Sequence, residues 1–313
     1  MDKCNTDVII PLYKPDKRFE QLINRLHHQS VKPDRILVVN TGRSFYEEYF
    51  GDRDICKVYD DVVVKHIEEN EFDHGGTRRI AVTLSDADVI IFMTDDALPA
   101  DDKLVEKLIA PIVSGEAALS YARQLAGKDA DILEKLTRKF NYPAESMLKS
   151  SADLKTMGIK AFFCPNVCAA YSRKVYDELG GFDQHMIFNE DMVYARKVID
   201  AGYKIAYVSE AKVFHSHDYN GRQQFKRNFD LGVSHAMHPE TFADVPPGGE
   251  GMKLVLNQAG QLLKKGRPFK IFKLGWLSAC KLAGYKLGKA YKKLPDSMIE
   301  KCTMNPVFWR KGG

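Results

Sequence analysis

The sequence has few cysteines and no long apolar run, and each absence excludes a class of protein. Its six cysteines include no Cys-x-x-Cys pair, and no charged-then-apolar leader precedes the first strand-like segment. Both observations predict a cytoplasmic, reducing location. Apolar runs such as Val89–Met93 are far shorter than the roughly 20 residues that span a bilayer, so we expect no transmembrane helix.

Acidic residues are missing from one long segment near the C-terminus. Asp and Glu do not occur between Gly251 and Pro295, and the whole chain carries a net charge of +4. The rest of the chain is therefore net acidic, which predicts a terminal segment that meets a polyanion, either a membrane surface or a nucleic acid. We disfavour nucleic acid because no recognisable nucleic-acid-binding module accompanies the charge.

Within this segment, apolar residues recur every three or four positions, as they do along one face of a helix. They are Phe269, Phe272, Trp276, Cys280, Ala283 and Leu287. Lysines fall largely off that stripe, at Lys270, Lys281, Lys286, Lys289, Lys292 and Lys293. A basic amphipathic helix with aromatic residues on its apolar face is typical of a segment that lies on anionic lipid. A packing helix or a homodimer contact would have the same spacing.

The whole chain has the composition of a globular protein, with 44% apolar and 28% charged residues. Short apolar runs alternate with amphipathic stretches, which predicts an α/β fold with a mostly parallel, doubly wound sheet. The predicted strands are Asp7–Leu12, Ile36–Val39, Val62–Ile67, Val89–Met93, Ala117–Tyr121, Tyr203–Val208 and Ala211–His217. Helices are predicted over Phe19–Leu26, Thr77–Leu84, Asp102–Val113, Ser172–Leu179 and Asp191–Ala201. We interpret the region from about Gly127 to Lys160 as an insertion or a loosely packed flank, because few alternating runs occur there.

Polar residues follow several predicted strands, where ligands bind in sheets of this class. They are Tyr13, Asn40, Thr41, Asp95 and Asp96. Two carboxylates at the end of one strand are suited to Mg²⁺ or Mn²⁺ that bridges a substrate diphosphate. A turn would also favour Asp at these positions.

Three further segments combine groups that could carry chemistry. Glu190 and Asp191 begin a predicted helix, where a carboxylate is either functional or simply a cap. His215 and His217 lie two apart on a predicted strand, so they point to the same face as metal ligands or as solvated side chains. The segment Phe72–Arg79 opens a helix with two glycines and two arginines, which suits a phosphate or a nucleotide edge, or only a turn before a surface helix.

Taken together, these segments stand in the order found in family 2 glycosyltransferases. The order is a strand with Pro11 and Tyr13, then Phe72–Arg79, Thr94–Pro99, Gly180–Asp183 with Glu190 and Asp191, and His215–Tyr219. The chain resembles a bacterial rhamnosyltransferase of that family. The resemblance implies a GT-A fold over residues 1–245, with a donor half at about 1–120 and an acceptor half at about 121–245. Residues 246–313 are then a basic amphipathic helical tail.

The resemblance also implies roles for individual residues. Donor contacts fall on Pro11, Tyr13, Asn40, Thr41, Asp73, Arg78 and Asp95. Asp96 matches the metal-binding Asp, His217 a late metal ligand, Asp191 the general base, and Glu190 a residue that binds or orients the acceptor. The sequence departs from the family pattern in two places. Thr94-Asp95-Asp96 replaces Asp-x-Asp, so only Asp96 is placed as a ligand. Asn40 stands at a position where many relatives carry Asp.

These roles imply an inverting, Mg²⁺- or Mn²⁺-dependent transfer of L-rhamnose from dTDP-L-rhamnose, with a UDP-sugar as the second choice of donor. The acceptor is expected to be a lipid-linked surface-glycan precursor at the cytoplasmic face of a membrane. A sugar-phosphate nucleotidyltransferase would need a glycine-rich loop with a lysine after the first strand, whereas Pro11–Pro15 lacks glycine. A non-catalytic nucleotide-sugar-binding protein is the other alternative, and the presence of Asp96, Asp191 and His217 argues against it.

Overall fold

Nine strands form one sheet in the computed structural model, which describes residues 4–53, 55–244 and 248–310. The strands are β1 (Thr6–Tyr13), β2 (Arg35–Thr41), β3 (Val62–Ile67), β4 (Val89–Met93), β5 (Leu98–Pro99), β6 (Leu119–Leu125), β7 (Met147–Lys149), β8 (Cys168–Ser172) and β9 (Ile205–Phe214). Their order is β3-β2-β1-β4-β8-β6-β9-β5, with β7 paired to β9. The first four strands are parallel, as the sequence predicts, whereas β8 runs antiparallel to both β4 and β6.

Helices cover both faces of this sheet. The first eight are α1 (Lys17–His27), α2 (Arg43–Phe50), α3 (Ile55–Val58), α4 (His74–Val82), α5 (Leu104–Val113), α6 (Ile132–Asn141), α7 (Leu154–Met157) and α8 (Arg173–Glu178). The others are α9 (Glu190–Asp200), α10 (Gly221–Met237), α11 (Pro239–Phe242), α12 (Gly248–Lys264), α13 (Lys270–Lys289), α14 (Asp296–Cys302) and α15 (Pro306–Arg310). Strand β1 explains the layering, because successive side chains of a strand point to opposite faces. Val8 and Ile10 pack in the layer of α1 and α5, and Ile9 packs in the layer of α4 and α9.

The C-terminal part of the sheet differs from the sequence prediction in one strand. A single strand, β9, replaces the two predicted over Tyr203–Val208 and Ala211–His217. Its pairing with β6 shifts register between Ala122 and Arg123, which are opposite Val208 and Lys212. Strand β9 therefore has a bulge at this point but continues as one strand. The strand ends at Phe214, and His215 and His217 therefore lie in the segment that follows it.

The region from Gly127 to Lys160 is not a loosely packed flank, so that alternative of the prediction is wrong. It contributes α6, and its strand β7 pairs antiparallel with β9. Lys149 of β7 is buried, and its ammonium donates to the hydroxyl of Tyr121 and to the carbonyl oxygens of Lys160 and Phe163. A buried cation needs such partners, which fixes this region to the sheet.

Helices α12 to α15 pack back onto the preceding residues. Ile299, Cys302 and Phe308 share an apolar cluster with Phe229 and Val233 of α10, and α12 and α13 pack on α6. Every helix in the described part of the chain is too short or too polar to span a bilayer. The predicted domain boundary at residues 245–246 lies outside the described residues.

The predicted apolar stripe of the tail begins with three exposed aromatic side chains, and α13 is docked through other residues. Phe272 and Trp276 are 81% and 65% exposed, and Phe269 just before the helix is 84% exposed. Further along, Gly284 and Gly288 are buried against α10. The aromatic members of the stripe therefore face solvent, while Leu274, Gly284 and Gly288, which lie off the stripe, pack against the rest of the protein.

Candidate active site

A polar cleft lies beyond the carboxyl ends of β4 and β6, and it contains most of the chemistry-bearing residues. Its volume is about 550 Å³, and Asp95, Asp96, Glu190, Asp191 and His217 are among its lining residues. A second cavity of about 390 Å³ shares His74, Phe188 and Arg227 with the cleft and extends to Tyr13 and Thr41. The two spaces are therefore adjacent and share one wall.

Asp96, His215 and His217 form a cluster whose ligand atoms all lie within 4.8 Å of one another. The Nε2 atoms of the two histidines are 3.0 Å apart, and they lie 3.5 and 3.2 Å from the two carboxylate oxygens of Asp96. Ligands at right angles around a cation at roughly 2.1–2.2 Å are about 3 Å apart. The three side chains therefore fit around one divalent cation.

The protonation of the cluster is set by a residue that the sequence did not identify. Nδ1 of His215 lies 3.1 Å from Oε1 of Gln124, which also accepts from Arg138. An amide oxygen only accepts, so Nδ1 carries the proton and Nε2 presents its lone pair to the cluster. Burial lowers the pKa of His215 to about 3 and also lowers the pKa of His217, which favours the neutral imidazoles that bind metals.

Two adjacent carboxylates, Glu190 and Asp191, begin α9 in different environments. Glu190 is paired with Arg78 at 3.1 Å, with both side chains only 7% exposed, and it accepts from the amide of Asn166. Asp191 is partly exposed to the cleft and accepts from the backbone N–H groups of Asn166 and Met192. Burial and the neighbouring charge of Glu190 raise the pKa of Asp191 to about 7, whereas the pKa of Glu190 is lowered, against its own burial, chiefly by Arg78.

The residues that the resemblance assigns to the donor are divided between the two spaces. Tyr13 and Thr41 line the second cavity, and Arg78 and Asp95 line the cleft. Burial and the charge of Asp96 raise the pKa of Asp95 to about 7.

Three other assigned residues lie outside the linings found in the described part of the chain. Pro11 is within β1, and the side-chain amide of Asn40 donates to the carbonyl oxygen of Gly42. The carboxylate of Asp73 accepts from the backbone N–H groups of Gly76 and Met186. Asp73 therefore caps α4 and ties it to the segment before α9.

Several residues of the site come from places where the sequence predicted no part of an active site. They are Gln124, Arg138, Asn166, Arg227, Lys281 and the segment Met304–Val307, which lines the second cavity. Gln124 could have been found by the carboxyl-end rule, since it lies at the end of β6. The predicted strand ended at Tyr121, before the bulge.

This fold and site are those of a GT-A glycosyltransferase: Asp96 follows the central strand β4, and the pair Glu190 and Asp191 begins α9 across the cleft. The chain belongs to glycosyltransferase family 2, because the model described as "Glycosyl transferase family 2" matches residues 7–180. It is 39% identical over 306 residues to the O-antigen chain rhamnosyltransferase RfbN of Salmonella typhimurium, covering 96% of this chain and 95% of that protein. It is 36% identical over 305 residues to WbaN of Salmonella anatum, with the same coverage.

Solved structures share the fold at low sequence identity. The mannosyltransferase PcManGT from Pyrobaculum calidifontis, in complex with GDP-Man and Mn²⁺, has a TM-score of 0.63 at 13% identity, covering 93% of this chain and 88% of that one. S. aureus TarS 1-349 has a TM-score of 0.55 at 13% identity, covering 92% and 91%. The GT-A fold is thereby confirmed, while it is the family membership and the two relatives above that make the chain a glycosyltransferase.

Proposed function

We propose that this enzyme transfers L-rhamnose from dTDP-L-rhamnose to a lipid-linked precursor of a surface polysaccharide, with inversion at the anomeric carbon. The observation that carries the proposal is the pairing, in one cleft, of the Asp96–His215–His217 cluster with Asp191. Two relatives named as O-antigen chain rhamnosyltransferases, similar over nearly the whole chain, support the choice of sugar and of acceptor class.

The two adjacent spaces fit the two ends of a nucleotide sugar. The second cavity is lined by Tyr13, Thr41 and apolar side chains such as Ile187 and Val307, and its volume of about 390 Å³ is within the usual range for a small-molecule site. We assign the base and ribose to this cavity. The diphosphate and the sugar then lie in the cleft beside Asp96 and Asp191.

Asp191 is the general base in this proposal. With a pKa near 7, its carboxylate accepts a proton from the acceptor hydroxyl at neutral pH better than an ordinary aspartate would. The hydroxyl oxygen forms a bond to the anomeric carbon as the bond from that carbon to the diphosphate oxygen breaks, and the proton passes to Asp191. One displacement without a covalent enzyme intermediate inverts the configuration.

Asp96, His215 and His217 would hold a divalent cation, which when bound stabilises the negative charge of the departing diphosphate. Mg²⁺ prefers oxygen ligands, whereas Mn²⁺ also accepts imidazole nitrogen. Two histidines in the set therefore favour Mn²⁺. Gln124 keeps His215 in the tautomer that can bind it.

A screen of purified protein with dTDP-L-rhamnose, UDP-glucose, UDP-galactose and GDP-mannose tests the donor. We expect Mn²⁺-dependent release of dTDP from dTDP-L-rhamnose, and transfer products with inverted anomeric configuration. Turnover of a UDP-sugar without turnover of dTDP-L-rhamnose would contradict the proposed donor.

We also propose that α12 and α13 bind an anionic membrane surface, where a lipid-linked acceptor would be found. Phe269, Phe272 and Trp276 are exposed, and the segment around them lacks acidic residues between Gly251 and Pro295. Apolar rings combined with basic side chains bind the headgroup region of anionic bilayers.

Vesicle flotation tests this membrane contact. The double variant Phe272→Asp, Trp276→Asp should lose binding to anionic vesicles, whereas Val58→Asp, at another exposed apolar position, should bind normally. Binding of the intact protein should weaken with salt. Equal flotation of both variants, insensitive to salt, would contradict the membrane contact.

A further inference from the structure

Lys281 lies in the middle of α13, and its side chain faces the catalytic cleft. It lines both the cleft and a small cavity of about 50 Å³ that borders His217 and Glu134. The sequence pattern grouped it with the lysines expected at a lipid surface. That grouping is wrong for Lys281, while Lys286 of the same helix is exposed.

Two glycines of α13 account for this orientation. A Cβ atom at Gly284 would lie 2.1 Å from the carbonyl oxygen of Phe225, and one at Gly288 would lie 2.1 Å from that of Phe229. Only glycine permits so close an approach between the two helix backbones. Residues three apart share a helix face, so Lys281 is held one turn before Gly284 and faces the cleft beside α10.

Lys281 and Arg227 are cations without a carboxylate partner in the described part of the chain, where neither takes part in an ion pair. Arg227 lies over the rings of Phe188 and Tyr219, at 4.7 and 5.8 Å. Glu134, the acidic group nearest to Lys281 on α6, is paired with Arg138 at 2.7 Å. Burial lowers the pKa of Lys281. The negative charge of Glu134 raises this pKa, and the positive charge of Arg227 lowers it further. Two such cations in one polar cleft are suited to an anionic ligand.

We propose that Lys281 binds a diphosphate in the cleft beside Arg227, so that the C-terminal helix α13 completes the substrate site. The inference rests on the proposed function, which provides two ligands with this group. One is the diphosphate of the nucleotide donor, and the other is the diphosphate that joins a lipid to its glycan.

Equilibrium binding to the full chain tests this with three variants. Lys281→Met removes the charge but keeps much of the side chain, Lys281→Arg restores a cation, and Lys286→Met is the matched control on the same helix. The probes are dTDP, thymidine and farnesyl diphosphate, each measured with Mn²⁺ and with EDTA, and the wild type is also measured with UDP and GDP. An ionic hydrogen bond to phosphate corresponds to a change in affinity of about 10- to 100-fold.

We expect Lys281→Met to weaken binding of dTDP or of farnesyl diphosphate by that factor, with and without Mn²⁺, and to leave thymidine unchanged. Lys281→Arg should recover most of the affinity, and Lys286→Met should behave as the wild type. Loss of dTDP affinity identifies the donor as the ligand, and loss of farnesyl diphosphate affinity identifies the acceptor.

Unchanged affinity of Lys281→Met for both diphosphates would overturn the inference, as would a loss confined to vesicle flotation. Failure of the proposed function would look different. The wild-type protein would then bind none of dTDP, UDP and GDP, while the farnesyl diphosphate arm would still report on Lys281.

Discussion

Replacing Asp191 with Asn tests the assignment of the general base most directly. The substitution keeps the size of the side chain but removes the group that accepts the hydroxyl proton. A positioned base contributes about 10²- to 10⁴-fold to the rate, so we expect the turnover number to fall by at least about 10²-fold. Affinity for dTDP should be nearly unchanged, because Asp191 bonds to the backbone of Asn166 and Met192 rather than to the metal cluster.

The pH dependence gives a second, independent measurement. Since burial and Glu190 raise the pKa of Asp191 to about 7, the wild-type rate should fall about tenfold per pH unit below that value as the base becomes protonated. The Asp191→Asn variant should lack this acid limb. Glu190→Gln removes the neighbouring negative charge and should move the acid limb to lower pH.

The same pKa shift predicts how stability changes with pH. A carboxyl group whose pKa is higher in the folded state stabilises the protein at low pH, and this contribution is lost as the pH rises towards about 7. Each pKa unit is about 1.4 kcal/mol, so between pH 5 and pH 8 the wild type should lose at most about 3 kcal/mol that Asp191→Asn does not lose. The Tm of Asp191→Asn should therefore increase relative to the Tm of the wild type as the pH rises.

Turnover and Tm must be measured together for Asp191→Asn and Glu190→Gln. Breaking the buried pair of Glu190 and Arg78 typically costs about 3–5 kcal/mol, so the rate of Glu190→Gln has to be normalised to folded protein. A near-normal rate for Asp191→Asn would refute its role as the base, since the substitution removes the group that accepts the hydroxyl proton. Collapse of the normalised rate for Glu190→Gln alone would assign the base to Glu190.

Three further expectations concern the metal cluster, the C-terminal helix and the second cavity. Asp96→Ala should abolish Mn²⁺ binding in calorimetry, and Gln124→Ala should weaken it about 10- to 100-fold through the orientation of His215. Gly284→Val should lower Tm markedly, because its side chain meets the carbonyl oxygen of Phe225. Val307→Lys, in the wall of the second cavity, should weaken binding of thymidine and dTDP alike.

The glycine and cavity substitutions each have a matched control in the same chain, and the metal substitution has a contradicting outcome. Gly275→Val carries the same helix-propensity penalty as Gly284→Val, but no atom lies within 4 Å of its added Cβ, so an equal fall in Tm would contradict the close-packing argument. Met298→Lys is an exposed counterpart to Val307→Lys. Full activity of Asp96→Ala in the presence of a chelator would remove the metal from the mechanism.

Local patterns identified the elements that the fold depends on most. Val8, Ile9 and Ile10 are buried on both faces of β1, and this continuous apolar run is the pattern of a central parallel strand. Because parallel strands present their carboxyl ends to one edge, Asp96 and Thr41 could be placed near one another from sequence alone. A different signal identified the Glu190–Asp191 pair as a candidate, namely its position at the start of a predicted helix together with the resemblance to the family.

Contacts between distant residues could not be predicted in this way. Gln124 and His215 are 91 positions apart, and they meet only because β6 and β9 pair in parallel across a register shift. Asn166 contacts both carboxylates because β8 enters the sheet between β4 and β6. Neither the insertion of an antiparallel strand nor a bulge leaves a periodic signal in the sequence.

The lysines of α13 illustrate the same limit, and they suggest how the enzyme is organised. A helical period identifies which residues share a face, but it does not say what that face meets. The glycines that dock α13 on α10 hold Lys281 towards the cleft, while Phe272 and Trp276 remain exposed. On the proposed function, one helix would then contact the membrane and the diphosphate at once. Substituting Phe272 should therefore alter vesicle binding without altering affinity for dTDP, and substituting Lys281 should leave vesicle binding intact. If both substitutions altered both properties equally, the two faces of α13 would not act separately.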